Sequence, residues 1–156
     1  KATDTYAKDA VTEFDLMCRA MEQVFDIEQT QQVIENTENI NSVWALAEYG
    51  GQPAITVLAA PSTEPDKRRA NTADTFLFWQ DKKAAGTGKR ILIVTSQIYV
   101  PYQQLEAVRI LGMQYGHSVE TIGFPREWSG NMSGLQTAAN YLQEIRSVLQ
   151  SMKKLL

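Results

Sequence analysis

The first part of the chain places apolar residues with the period of a helix. Over residues 4–25 they recur every three or four positions, at Ala7, Ala10, Val11, Phe14, Met17, Cys18, Met21, Val24 and Phe25. This spacing predicts a helix with one buried face. A second helical region is predicted over residues 30–49, and Gly50 ends it. We therefore expect residues 1–49 to be helical.

The pattern changes after residue 50 to short, continuous apolar runs. These runs lie at residues 54–59, 90–95 and 119–123. Continuous apolar runs of this length are typical of strands that are buried on both faces of a parallel sheet. The three runs are therefore predicted to form one parallel sheet.

Helices are predicted around these strands, at about residues 72–85, 101–115 and 133–154. The last helix carries an apolar row on one face, formed by Leu135, Ala138, Leu142, Ile145, Leu149 and Met152. Strands that alternate with helices indicate right-handed parallel crossovers, with helices on both faces of the sheet. The prediction is a single α/β domain over residues 1–156, Rossmann-like, with three α/β/α layers, a short parallel sheet and extra N-terminal helices. Residues 50–156 would form its β-α-β-α-β-α unit.

Composition removes several classes of function. The chain has 156 residues and a net charge of −3, from 15 basic and 18 acidic side chains, so no globally basic surface favours nucleic acid. One cysteine and one histidine exclude an intramolecular disulfide and a multi-histidine metal site, and no metal site is predicted. No apolar run is long enough to span a membrane. The chain begins at Lys1, so we expect a piece of a longer protein. The sequence indicates no cofactor and no compartment, and it leaves open whether the protein is an enzyme.

Three loops are predicted to meet at one edge of the sheet. In open parallel sheets, ligands bind beyond the carboxyl ends of the strands. Residues 62–72, 95–103 and 124–131 would lie at that edge. We therefore predict a crevice there for a small anionic or nucleotide-like molecule.

The first of these loops contains the densest basic cluster, which includes Arg68 and Arg69. The helix that begins near Asn71 and Thr72 has unpaired amides and a positive dipole end, both of which favour an anion. These four residues are therefore candidates for ligand binding. In the alternative interpretation, Asn71 or Thr72 caps the helix with Asp74 as capping partner, and the loop is solvated.

The second loop offers hydroxyl groups and an aromatic ring. Thr95 and Ser96 end the second predicted strand and can form hydrogen bonds with a ligand in the crevice. Tyr99 can stack on a base or a sugar. Equally, Tyr99 can pack over the edge of the sheet without any ligand.

The third loop contains Arg126, another candidate for ligand binding. Trp128 is either a platform for a ligand or an anchor for the loop. If the protein is an enzyme, Asp74 or Glu127 is the candidate base. His117 lies at the opposite, amino-terminal edge of the predicted sheet, so a catalytic role is disfavoured.

Two short segments resemble a known family. Residues 69–75, RANTADT, and residues 93–102, IVTSQIYVPY, resemble motifs of the YdcF/SanA-like bacterial domain-of-unknown-function family. The similarity covers roughly residues 50–125. It implies a Rossmann-like fold and a connection to bacterial envelope biology, with no settled activity. The chain departs from the family at two key positions, because Tyr99 and Tyr102 stand where the family has His and Arg.

Two functions follow from these observations. The first is a small-ligand-binding α/β domain, and convergent polar side chains in a concave crevice would favour it. The second is a non-catalytic interaction or structural domain of a larger protein, with a partner or missing domain against residues 4–25. Exposed apolar residues on that helix would favour the second function.

Overall fold

The computed structural model describes residues 12–51, 53–84, 86–125, 128 and 137–155. The chain forms two compact units, Lys1–Thr75 and Phe76–Leu156. Helices occur together with an antiparallel and a parallel sheet, so the predicted α/β class is confirmed. The single domain and the Rossmann-like three-layer arrangement stay predictions. Within the described ranges, no helix is both long enough and apolar enough to cross a membrane.

The first unit contains one long helix and a three-stranded antiparallel sheet. The helix, α1, is Glu13–Val24. The strands β1, Gln29–Glu35, β2, Trp44–Tyr49, and β3, Ile55–Ala59, pair in the order β1-β2-β3. A 3-10 turn over Ile40–Ser42 lies between β1 and β2. This unit has a core where the helix lies on one face of the sheet.

Helix α1 begins with a reciprocal cap. The Thr12 hydroxyl accepts a hydrogen bond from the Asp15 amide at 3.2 Å, and the Asp15 carboxylate accepts one from the Thr12 amide at 3.0 Å. This arrangement satisfies two amides that have no partner within the helix. The helix predicted over residues 4–25 is therefore confirmed for its described part, and residues 4–11 lie outside the described residues.

The core of the first unit forms between α1 and the sheet. It comprises Phe14, Cys18, Ala45, Ala47, Tyr49 and Val57, with Met21, Ile27, Ile55 and Ala59 packed against it. The predicted burial of Phe14 is confirmed. The predicted burial of Met17 and Phe25 is wrong, because Met17 is 49% and Phe25 59% exposed. Phe14, Cys18 and Met21 follow the helical spacing that faces the sheet, so the other apolar residues of α1 point elsewhere.

The helix predicted over residues 30–49 is wrong, because this segment forms β1 and β2. Alternate residues of β2, Ala45, Ala47 and Tyr49, belong to the core, which is the period of a strand. The intervening polar residues form local turns instead of helix. The Asn39 side chain accepts a hydrogen bond from the Asn41 amide at 3.0 Å, and side-chain bonds of this kind compete with helical pairing.

The prediction of one three-stranded parallel sheet is also wrong. Strand β3 exists where it was predicted, but it pairs antiparallel with β2, from Tyr49 opposite Ile55 to Ala45 opposite Ala59. Only five residues, 50–54, separate the two strands. Antiparallel strands can be joined by such a short connection, whereas parallel strands need a crossover of about a dozen residues or more.

The second unit has a parallel strand pair with helices. Its strands are β4, Arg90–Ser96, and β5, Ser118–Phe124, which pair in parallel along their whole length. Its helices are α3, Val100–Ala107, and α4, Ala138–Lys153. Helix α2, Thr72–Lys82, contains the boundary between the two units. The predicted strands at 90–95 and 119–123 and their parallel direction are confirmed.

The crossover between β4 and β5 begins with a tight approach of backbone to backbone. A 3-10 turn over Gln97–Tyr99 leads directly from β4 into α3. At Gly123, in β5, a Cβ atom would lie 2.7 Å from Cα of Gln97 and 2.9 Å from a methyl group of Val100. Both distances are shorter than packed atoms allow, so glycine is required where β5 passes this turn.

A buried carboxylate connects α3 to α4. Glu106 of α3 is completely buried, and it accepts hydrogen bonds from Arg109, at 2.6 Å, and from the Ser151 hydroxyl of α4. Lys154 lies 4.0 Å away. Burial alone would raise the pKa of Glu106, but the hydrogen bonds from Arg109 and Ser151 outweigh it and hold the pKa below its usual range. The charged form of Glu106 is therefore part of the packing between the two helices.

We expect Glu106→Gln to lower the free energy of unfolding by about 1–3 kcal/mol, because the amide keeps the shape of the side chain and loses the charge-assisted bond to Arg109. Glu120→Gln is the matched control, since Glu120 is an exposed residue of β5. Urea unfolding of the two variants measures the difference. Equal stability of both would contradict a structural role for the Glu106 charge.

Candidate functional site

Two of the four binding candidates predicted in the first loop, Arg68 and Asn71, contact Asp74, in the first turn of α2. Asp74 is 1% exposed. Its carboxylate accepts hydrogen bonds from the Thr63 amide at 3.1 Å, from the Thr63 hydroxyl at 2.7 Å and from the Asn71 amide at 2.8 Å. It also forms an ion pair with Arg68. We call Ser62, Thr63, Glu64, Arg68, Asn71 and Asp74 the Asp74 cluster.

Asn71 caps helix α2, as one of the two sequence-based interpretations predicted. Its side-chain oxygen accepts a hydrogen bond from the Asp74 amide at 3.2 Å, and its own amide donates to the Asp74 carboxylate. The capping is therefore confirmed with Asp74 as the partner. Thr72 is the first residue of α2 and is half-buried.

Arg68 directs its guanidinium group into the Asp74 cluster. Besides Asp74, it donates hydrogen bonds to Glu64 at 3.2 Å and to the Ser62 hydroxyl at 3.3 Å. Arg69 is exposed, and its carbonyl group accepts a bond from Arg68 at 3.1 Å. An anion at this helix start would have to compete with two carboxylates for Arg68. Anion binding by Arg68, Arg69, Asn71 and Thr72 therefore stays a prediction, and the contacts of Arg68 count against it.

The electrostatics of Asp74 disfavour its role as a catalytic base. Burial alone would raise its pKa, but hydrogen bonds from Arg68, Thr63 and Asn71 hold the pKa well below its usual range. A general base works best with a pKa near the working pH, and it must reach the proton that it removes. Asp74 has a low pKa and is buried, so its hydrogen bonds are suited to holding the loop before α2 in place.

At the carboxyl end of the parallel pair, the structure brings part of the second loop together. Thr95 and Ser96 end β4, and both are half-buried. The Ser96 side chain forms no capping hydrogen bond with the turn that follows. Tyr99 is half-buried at the end of that turn. The predicted ligand contacts of these three residues stay predictions.

Most of the third loop lies outside the described residues. Arg126, Glu127 and Asn131 are among the residues of this loop that lie outside the described ranges. Trp128 is described and is 78% exposed, with its amide donating to the Pro125 carbonyl at 3.0 Å. The predicted crevice draws on segments of both compact units, and it stays a prediction.

His117 is a buried structural residue. Its Nδ1 accepts a hydrogen bond from the Lys89 amide at 3.2 Å, and its Nε2 lies 2.7 Å from the side-chain oxygen of Gln80. Trp79 packs edge-on against the imidazole ring. Both ring nitrogens are therefore engaged, which agrees with the sequence-based argument against a catalytic role.

One face of the parallel pair is open, which the sequence did not predict. Leu92 is 57%, Val94 61% and Ile122 44% exposed. Val94 and Ile122 are register partners, and Leu92 lies on the same face opposite the exposed Glu120, so an apolar patch borders a charged residue there. We call Leu92, Val94 and Ile122 the open sheet face. The continuous apolar runs in the sequence predict instead that other elements cover both faces of these two strands.

The apolar row of α4 is open as well. Its members among the described residues are all exposed: Ala138, Leu142, Ile145, Leu149 and Met152. The inward side of the helix carries Glu106's partner Ser151, which is buried. The sequence predicted an apolar row on one face of this helix, and the structure leaves the described members of that row exposed. The helix instead packs through a more polar side.

Comparison with known proteins places the chain beside mycobacterial relatives. It is 36% identical over 161 residues to an uncharacterized protein of Mycobacterium tuberculosis, and equally to one of Mycobacterium bovis. The alignment covers 96% of this chain and 44% of each relative, so the chain spans less than half the length of the curated relatives that it matches. No family model matches the chain, and no solved structure matches it significantly. The resemblance to the YdcF/SanA-like family stays a prediction.

Proposed function

We propose that this chain is a non-catalytic structural and interaction module, and that a helix of another polypeptide segment covers its open sheet face. The observation that carries the proposal is the exposure of Leu92, Val94 and Ile122 on a parallel strand pair. Parallel strands are almost always covered by helices on both faces, because each βαβ crossover places a helix there. Here the face that carries Leu92, Val94 and Ile122 has no cover among the described residues.

Two further observations support this proposal. More than half of each mycobacterial relative lies outside the matched region, since the match covers 44% of their length. Such a segment can supply the covering helix. In addition, helix α1 exposes Leu16, Met17 and Val24, and exposed apolar residues on this helix favour an interaction module. The connection to bacterial envelope biology stays a prediction.

We expect the segment of the Mycobacterium tuberculosis relative outside the matched region, produced as a separate polypeptide, to bind this chain. The double variant Leu92→Asp, Val94→Asp should weaken the binding at least about tenfold, because it places two charges in an apolar contact. Isothermal titration calorimetry measures both affinities. Binding between the matched region of the relative and the rest of the same relative is the positive control.

Met113→Asp is the matched control, because Met113 is an exposed apolar residue of the same unit outside the open sheet face. It should bind like the unmodified chain. If the relative's two parts bind each other and this chain binds neither, the proposal fails. If sedimentation instead shows a dimer that the double variant dissociates, the open sheet face belongs to a second copy of the chain.

A further inference from the structure

A second apolar feature lies at the carboxyl end of β4. It is a groove of about 370 Å³ between the 3-10 turn that follows β4, the start of α3 and helix α4. Its lining is mainly apolar and includes Ile98, Pro101, Ile145, Val148 and Leu149. The volume falls within the range of small-molecule sites, and the carboxyl end of parallel strands is where such sites form.

One lining residue does not match this apolar surface. Glu144 of α4 lines the groove, and its Oε2 atom is buried without a hydrogen-bond partner among the described residues. It forms no ion pair with any residue that the structure describes. Glu144 as a whole is half-buried, but this one oxygen loses its hydration without compensation, which is costly. Burial accordingly raises the pKa of Glu144.

We propose that this groove binds a small amphipathic ammonium compound, with its apolar body along Ile98, Ile145 and Leu149 and its ammonium group at the Glu144 carboxylate. An ionised carboxylate only accepts hydrogen bonds, and a cationic N–H donor forms the stronger, charge-assisted bond with it. The rest of the lining is mainly apolar, so the burial of apolar ligand surface against it is favourable. The ligand thus carries the opposite charge to the anion predicted from the loop arginines.

This site is independent of the open sheet face. The groove is lined by α4, the turn after β4 and the start of α3, whereas the open sheet face consists of side chains within β4 and β5. A covering helix on the strands and a small ligand in the groove therefore depend on different residues. Either proposal can fail while the other holds.

The experiment compares three probes of equal chain length at neutral pH, each below the concentration at which it aggregates. They are n-octylammonium, n-octanol and n-octanoate. We expect saturable binding of octylammonium, with octanol at least about tenfold weaker and octanoate weaker still, because only the ammonium group pairs with Glu144. Methyl chemical shifts of Ile98, Ile145 and Leu149 should move along one binding curve.

Two variants separate the charge from the apolar contact. Glu144→Gln should reduce octylammonium affinity about tenfold, to the level of octanol, and leave octanol binding unchanged. Glu120→Gln is the control, because it removes an exposed carboxylate of the same unit. Leu149→Ser should weaken octylammonium and octanol alike, and the exposure of Leu149 makes this variant compatible with the fold.

Several results would overturn this inference. One is equal affinity for octylammonium and octanol in the unmodified chain, which would mean that Glu144 does not select a cation. Another is a preference for octylammonium that survives Glu144→Gln. Shifts confined to Leu92, Val94 and Ile122, or no binding of any probe, would also overturn it, since neither places a ligand in the groove.

Discussion

Asp74→Ala is expected to lower the free energy of unfolding by about 3–5 kcal/mol, because it removes a buried carboxylate that pairs with the half-buried Arg68 and accepts three further hydrogen bonds. The carboxylate is the acceptor for the Thr63 amide and hydroxyl and for the Asn71 amide, and it pairs with Arg68. Without it, these donors lose their shared partner and the loop before α2 loses its connection to the helix. Urea unfolding followed by circular dichroism measures the change.

The control for this prediction is Asp81→Ala on the same helix. The Asp81 side chain is 71% exposed, so its loss should change stability by less than about 0.5 kcal/mol. Equal effects of the two variants would show that the Asp74 cluster contributes nothing beyond an ordinary surface carboxylate.

The lowered pKa of Asp74 implies that the free energy of unfolding depends on pH. The folded-state pKa of Asp74 is lowered, so its stabilising contribution is fully present above the unfolded pKa of about 3.9 and is lost as the pH falls toward the folded value. The difference in unfolding free energy between the unmodified chain and Asp74→Ala should therefore be constant from about pH 5 to 7 and shrink below about pH 4. A difference that is as large at pH 2.5 as at pH 7 would contradict the proposed ionisation.

Phe14→Ala is expected to cost about 3–5 kcal/mol in the stability of the first unit, because it leaves a cavity between α1 and the sheet. Phe14 is buried in the core with Ala45, Ala47 and Val57, where small neighbours offer few atoms to fill the space. Native-state hydrogen exchange of β2 and β3 amides measures the loss within this unit.

Met17→Ala is the matched control, since it removes an apolar side chain from the exposed side of the same helix. Its expected cost is below about 0.5 kcal/mol. If Phe14→Ala leaves the exchange of β2 and β3 unchanged, the helix does not contribute to that core, and its apolar residues serve some other contact.

The elements that the sequence predicts well are those whose signals are local. Helix α2 has a capping pair, Asn71 and Asp74, three positions apart, and this spacing alone indicates the helix start. Strands β4 and β5 are apolar runs separated by a helix, which is long enough for a parallel crossover. These signals depend on neighbouring residues, so no knowledge of the rest of the fold is needed.

The errors arise where two interpretations share the same residues. Val33, Ile34, Val43 and Trp44 fit a broken helical period, yet they lie in or beside β1 and β2. Pairing between strands decides this segment, and pairing involves residues up to about twenty positions apart, such as Gln29 with Tyr49. The site residues show the same limit. Arg68 is an anion ligand or an ion-pair partner according to whether a buried carboxylate lies within reach.

The sequence by itself determined the α/β class, the parallel pair β4–β5, the helix that Asn71 caps and the burial of Phe14. These features follow from local periodicity, from capping and from the length of the connection between β4 and β5. Only the tertiary structure decided the antiparallel sheet of the first unit and the partner of Arg68. It also decided the exposure of Leu92 and Leu149 and the burial of the Glu144 Oε2 atom without a hydrogen-bond partner among the described residues. Those features depend on which surfaces meet in space, and a pattern along the chain records that a surface is apolar without recording what covers it.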